Sequence, residues 1–143
     1  MDWDQRFLEL AEHISNWSKD PSTQVGAVAV RDRRILATGY NGFPRGIADS
    51  KIHLEDREAK LLRIVHAEAN IVAQASRHGV SLEDACIYIW PFLPCASCCT
   101  ILMQAGVSRI VAPDRPIPDR WKTSFSTSVD LLKEAGITLC LLP

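Results

Sequence analysis

Residues 86–112 read CIYIWPFLPCASCCTILMQAGVSRIVA: a short apolar run, a Pro-Cys-x-x-Cys turn, a second apolar run at helical spacing, a glycine and a third short apolar run. The pattern predicts a strand over 86–90, a helix over 96–103 stopped at Gly106, and a strand over 109–112. Two strands joined through a helix lie parallel in one sheet. The same stretch carries Cys95 and Cys98 at the helix start, so the element that sets the topology also carries chemistry.

Outward from this unit the hydrophobic period keeps changing. Trp3, Phe7, Leu10, Ala11, Ile14 and Trp17 recur at helical spacing and predict a first helix ending near Pro21. Residues 25–30 form a nearly continuous apolar run suited to a buried strand, and Arg31-Asp32-Arg33 turns it into a partner over 35–40. That hairpin is antiparallel, so the sheet is mixed. Residues 41–65 begin rich in turn formers and continue as a charged helical piece around 54–64. A helix over 67–75 ends at Gly79, a helix over 126–135 ends at Gly136, and 138–142 reads as the last strand. No repeat or low-complexity tract interrupts the chain, and residues 1–143 read as a single domain, long enough to bury roughly two thirds of its unfolded surface.

Charge narrows the function classes. Lys and Arg total 16 against 17 Asp and Glu, for a net charge of -1, which offers no basic excess for gripping nucleic acid. The start, Met1-Asp2-Trp3-Asp4-Gln5-Arg6, is acidic and amphipathic, and no apolar run reaches membrane-spanning length. Five cysteines, two of them in a Cys-x-x-Cys spacing, suit a reducing compartment better than a disulfide framework. A cytoplasmic protein is expected.

Cys95, Cys98 and His66 are candidate zinc ligands. Cysteines three apart in a first helical turn place both sulfurs on one side, and a helix N-terminus favours the thiolate that a metal requires. His66 precedes a second helical run, so it too stands at a helix start. Residues two apart converge only at such an end, which brings Glu68 near the same point. A Cys-x-x-Cys alone also fits a redox pair or half of a structural zinc site, but neither gives His66 or Glu68 a role. Cys86 and Cys140 sit in strand-like runs and Cys99 on the apolar side of its helix, where cysteine packs as a small hydrophobe. His13, His53 and His78 lie in polar surroundings and read as solvated.

His-x-Glu followed by Pro-Cys-x-x-Cys is the signature of zinc deaminases, and it stands here as His66-Ala67-Glu68 and Pro94-Cys95-Ala96-Ser97-Cys98. Ser18-Lys19-Asp20-Pro21-Ser22-Thr23-Gln24-Val25-Gly26-Ala27-Val28 and Gly39-Tyr40-Asn41-Gly42-Phe43-Pro44-Arg45-Gly46 further resemble segments of deoxycytidylate (dCMP) deaminases. The resemblance implies a three-layer α/β/α cytidine-deaminase-like fold, with a mixed five-stranded sheet in the order 2-1-3-4-5 and helices on both faces. It implies hydrolytic deamination of dCMP to dUMP and ammonia by zinc-activated water, with one Zn2+ per subunit on His66, Cys95 and Cys98. Such a reaction supplies dUMP for dTMP synthesis.

Residue roles follow from the same resemblance. Glu68 is the catalytic proton carrier, the backbone N–H of Ala67 meets the pyrimidine carbonyl, and Asn41 meets a sugar hydroxyl, although Asn-Gly alone also reads as a plain turn. Ser18 and Lys19 are candidates for a 5′-phosphate, against a solvated helix end. Arg45, Lys51, Arg57, Lys60 and Arg63 read mostly as a solvated face balanced by Glu55, Asp56 and Glu58, with Asp56 and Lys60 at pairing distance along a helix. Tyr40, Asn41, Gly42 and Phe43 match a segment that in relatives binds regulatory dCTP or dTTP with Mg2+, near subunit contacts of a hexamer; a homo-oligomer is implied. Between Gly46 and His66 only His53 could ligate, so no second zinc is expected. Trp121 and the loop of Pro113, Pro116 and Pro118 read as packing, against a cover for the pocket or an interface. Competing readings are a tRNA adenosine, guanine, cytosine or riboflavin-pathway deaminase, and a catalytically silent zinc-binding assembly subunit.

Overall fold

Alternate residues of the central strands enter two separate cores. Val28, Val30, Tyr88 and Val111 face one side, while Ala27, Ala29, Ile87, Ile89, Ile110 and Ala112 face the other. Burial on both faces is why these runs are nearly continuous in apolar residues. The computed structural model describes residues 2–143. Its strands are β1 (Gly26–Arg31), β2 (Arg34–Tyr40), β3 (Cys86–Trp90), β4 (Arg109–Pro113) and β5 (Thr138–Leu142), in one sheet of order β2-β1-β3-β4-β5. β1 is antiparallel to β2 and β3, while β3, β4 and β5 run parallel. The expected mixed sheet and its order are therefore those observed. Asp32 and Arg33 both take positive φ, 54° and 62°, which gives the β1–β2 turn the twist of a two-residue hairpin.

Helix α1 (Trp3–Ser15) covers one face of the sheet through Phe7, Leu8, Ala11 and Ile14. Asp2 caps it: its carboxylate accepts from Gln5 N at 2.9 Å, and Gln5 Oε1 accepts from Asp2 N at 3.2 Å. Arg109 fastens the first turn to β4, donating to both carboxylate oxygens of Asp4 at 2.8 and 2.7 Å, and Tyr88 donates to the same carboxylate at 2.7 Å. The Arg109 hydrogen bonds hold the Asp4 carboxyl down to about 2. Near its C-terminus α1 lies directly on β1 at Gly26, where a methyl group would overlap Ala11 O and Ser15 N. Both obstacles are backbone and neither can swing aside. Gly26→Ala is expected to lower stability by about 3 kcal/mol or more, read as a drop in the urea midpoint.

The opposite face carries α4 (Ala67–His78), α5 (Ala96–Gln104) and α6 (Lys122–Ala135), through Ile71, Ala75, Cys99, Leu102, Phe125 and Leu132. Gly79, Gly106 and Gly136 end these helices at φ 68°, 91° and 72°, as their sequence positions imply. Cys99 is fully buried, and Cys86 and Cys140 pack within strands as apolar residues. Among the described residues no helix is long and apolar enough to cross a membrane.

Three elements differ from expectation. α1 stops at Ser15, short of the turn at Pro21, and Trp17 lies exposed beyond its C-cap Asn16. The charged piece over 54–64 is two short helices, α2 (Lys51–Glu55) and α3 (Arg57–Arg63), because Asp56 is extended between them and its carboxylate caps α3 at Ala59 N, 3.0 Å. α6 begins at Lys122, ahead of the expected residue 126, following a 3-10 turn (Asp119–Trp121). Its polar first turn carries no apolar period, and Phe125 is the first residue to reach the core.

Candidate active site

Two helix starts meet beyond the C-terminal end of β3, beside the start of β1. His66 is the N-cap of α4 and Cys95 the N-cap of α5; both are extended, and neither spends its side chain on capping its own helix. The side chains are thereby left to face each other. His66 Nδ1 lies 3.7 Å from Cys95 Sγ and 3.3 Å from Cys98 Sγ, and all three donor atoms lie within 4.8 Å of one another. A tetrahedral zinc ion with ordinary Zn–S and Zn–N bonds separates such donors by about 3.5 Å, so the set fits zinc in both chemistry and spacing. Glu68, the second residue of α4, is buried at 4% exposure beside this group.

The local electrostatics suit metal loading. A hydrogen bond from the Cys98 thiol holds Cys95 well below the usual thiol range, and the same bond with burial pushes Cys98 far up: the two sulfurs share one proton. The hydrogen bond to Cys95 raises His66 above its ordinary value against the opposing effect of burial. Burial pushes the Glu68 carboxyl up to about 7, in the range where a group both takes and returns protons near neutrality.

α6 supplies a support that residue-by-residue reading missed. Ser128, fully buried, donates to Pro94 O at 2.7 Å, and Ser124 Oγ accepts from Ala96 N at 3.0 Å. These bonds bracket Cys95 and fix its backbone. The visible signal was two serines four apart on one side of an apolar helix. Gly39 of β2 gives α4 equally close support, since a Cβ there would lie 2.6 Å from Ala67 O.

A cavity of about 240 Å³ opens beside the donors, lined by His66, Ala67, Glu68 and Cys95 at one end. Phe92, Trp121 and Phe125 form an aromatic wall, with Trp121 5.4 Å from Phe92 and 6.0 Å from Phe125 between ring centroids. Trp121 packs, as expected, and also faces the cavity. Ala67, the first residue of α4, has an N–H with no carbonyl one turn back in its helix.

Asn41 lines the cavity, but most of its amide is engaged by the protein. Its Oδ1 accepts from Val25 N at 2.9 Å, and Nδ2 donates to Thr23 O at 2.9 Å and to Asp20 Oδ2 at 3.4 Å. One acceptor position of Oδ1 is left unused. Ser18 and Lys19 are not among the lining residues. Ser18 is buried and donates to Asn41 O at 2.8 Å, whereas Lys19 is exposed and pairs with Asp49 at 2.9 Å. Tyr40 is exposed and edge-on to Trp17, Gly42 pairs with Val65, and Phe43 is half-buried.

Lys60 corrects the sequence reading. It is buried at 5% exposure, lines the cavity, and donates to Asp20 Oδ1 at 3.0 Å and Ser22 Oγ at 3.2 Å. The Asp56 carboxylate, occupied in capping α3, is not its partner. Asp20 also accepts from Ser22 N and Thr23 N, so one buried carboxylate joins the 18–25 loop to α3.

Three zinc-type donors of this spacing, a buried carboxylate beside them and a cavity reaching both suit hydrolysis by metal-activated water. The chain belongs to the cytidine and deoxycytidylate deaminase family: the model of that family's zinc-binding region matches residues 1–113. It is 38% identical over 143 residues to an uncharacterized deaminase in the luxG 3′ region of Aliivibrio fischeri, covering 99% of this chain and 94% of that protein. It is 34% identical over 124 residues to the deoxycytidylate deaminase of Mycobacterium phage D29, covering 78% of this chain and 94% of the phage protein. The crystal structure of the dCMP deaminase from cyanophage S-TIM5, in complex with dCMP and dUMP, shares the fold with a TM-score of 0.78 at 22% identity, over 96% of this chain and 95% of that one.

Proposed function

We propose that this chain deaminates dCMP to dUMP and ammonia, in the cytoplasm, as a homo-oligomer with one zinc per subunit. The observation that carries the reading is the donor set of His66, Cys95 and Cys98 with Glu68 buried beside it at the end of one cavity. Similarity to the phage D29 deoxycytidylate deaminase supports the choice of base and nucleotide. When bound, zinc supplies the Lewis acidity that makes water a competent nucleophile near neutral pH. Glu68 takes the proton lost by the attacking water and gives it to N3 of the cytosine; it then takes the proton of the new hydroxyl at C4 and passes it to the amine, which leaves as ammonia as the C4–N bond breaks and the C4 carbonyl forms. Ala67 N–H holds the pyrimidine carbonyl, Asn41 Oδ1 accepts from a sugar hydroxyl, and the wall of Phe92, Trp121 and Phe125 excludes water from the ring. Ser18 and Ser128 act on this machinery from behind, through Asn41 and Pro94.

Ammonia release from dCMP, CMP, deoxycytidine, cytosine, guanine and an adenosine-containing tRNA hairpin tests the assignment. Turnover confined to dCMP is the expected result, and turnover of only a non-cytosine substrate overturns it. Control by dCTP or dTTP with Mg2+, around Tyr40, Asn41, Gly42 and Phe43, belongs to the same reading. It requires sigmoidal dCMP kinetics that dCTP converts to hyperbolic ones.

A further inference from the structure

Five charged side chains other than the metal-donor group line the cavity: Asp20, Arg57, Lys60, Glu68 and Arg120. Two are already matched, since Lys60 and Asp20 form an ion pair buried to 6% and 7% side-chain exposure. Glu68 stands beside the metal donors. That leaves Arg57 of α3 and Arg120 of the 3-10 turn. Among the described residues neither has an acidic partner at ion-pair distance, although the chain as a whole carries a net charge of -1. Arg120 also has a defined pose: its guanidinium carbon lies 4.4 Å from the centroid of the Trp121 ring, which itself lines the cavity. A guanidinium laid on an aromatic face keeps its N–H edge free for an anion.

Resting on the nucleotide reading above, we infer that Arg57 and Arg120 form a two-sided clamp for the substrate's 5′-phosphate. Two unmatched guanidiniums from separate elements, both lining one cavity, suit a group that carries about −1.5 to −2 charge and three acceptor oxygens. The Lys60–Asp20 pair takes a positioning role. By tying α3 to the 18–25 loop it holds Arg57 beside the cavity, and because its charge is already balanced it leaves the phosphate to the two arginines. The phosphate selectivity expected of Ser18 and Lys19 passes to α3 and the 3-10 turn.

The test compares Arg57→Gln, Arg120→Gln and the double variant with the zinc-loaded wild type, on dCMP and on deoxycytidine. Each single change is expected to lower kcat/KM for dCMP by about 10- to 100-fold, while deoxycytidine turnover falls by less than about threefold. Lys51→Gln, on the exposed side of α2, serves as the surface-charge control and should leave dCMP turnover at the wild-type level. Calorimetric binding of dUMP against deoxyuridine supplies a readout independent of turnover. Wild type should prefer dUMP, and the double variant should lose most of that preference. Equal losses on both substrates, or an unchanged dUMP preference in the double variant, overturn the clamp. A wild type that deaminates neither substrate yet binds dUMP in an Arg57- and Arg120-dependent way keeps the clamp and removes the dCMP deaminase reading.

Discussion

Glu68→Gln is expected to lower kcat by about 10²- to 10⁴-fold while zinc content and fold stay at wild-type levels. Glutamine preserves the shape of a side chain that is only 4% exposed, so the helix and the metal donors keep their places. What disappears is a titratable oxygen. The carboxyl, pushed up by burial to about 7, is poised to gain and lose a proton within one turnover; an amide does neither. KM should change little, because the loss falls on the transition state and not on ground-state binding. Turnover, metal content and thermal midpoint together check this. Activity within about threefold of wild type, with zinc in place, would remove the proton-carrying role.

Cys98→Ala is expected to abolish zinc binding and activity together and to remove the stabilisation that zinc gives the wild type. Only two of the three donors remain, and the helix start that presents them loses its buried sulfur. The wild-type pH dependence has a definite sign. His66 is raised above its ordinary value, and an imidazolium has no lone pair for a metal, so zinc affinity falls as pH drops through that raised pKa. The loss therefore begins at higher pH than for a solvated histidine. Cys95 is already a thiolate, whereas Cys98 keeps the shared proton until zinc displaces it, so affinity continues to climb on the alkaline side. Chelator competition between roughly pH 5 and 9 measures this, and a flat profile contradicts it.

The parts of the fold that are legible in sequence are those whose signals are local. In β3, α5 and β4 the period, the Cys-x-x-Cys turn and Gly106 lie within one short stretch, and the structure follows them. The metal donors are legible for the same reason: each cluster is only a few residues long and sits at a helix start. Lys60 is the opposite case. A rule about neighbours on a helix pairs it with Asp56, but its partner Asp20 lies 40 residues away and is reached only through the folded 18–25 loop. Arg57 reads as part of a solvated face and Arg120 carries no motif at all, since nothing local shows that both border one cavity. Ser124 and Ser128 escaped notice because serine on a helix usually faces water, and here both face a neighbouring backbone.

The small bridge between Gly42 and Val65 carries a consequence for how such an enzyme changes. It holds the two ends of the 43–64 segment together before α4 begins, while α2 and α3 within it pack on each other and not on the sheet. A segment whose ends are already closed costs little to lengthen or shorten, and alterations inside it leave the strands and metal donors undisturbed. The segment is thus a cassette. Exchanging it between relatives, with Lys60 kept to meet Asp20, offers a route to re-specify the nucleotide while the deamination chemistry is inherited intact.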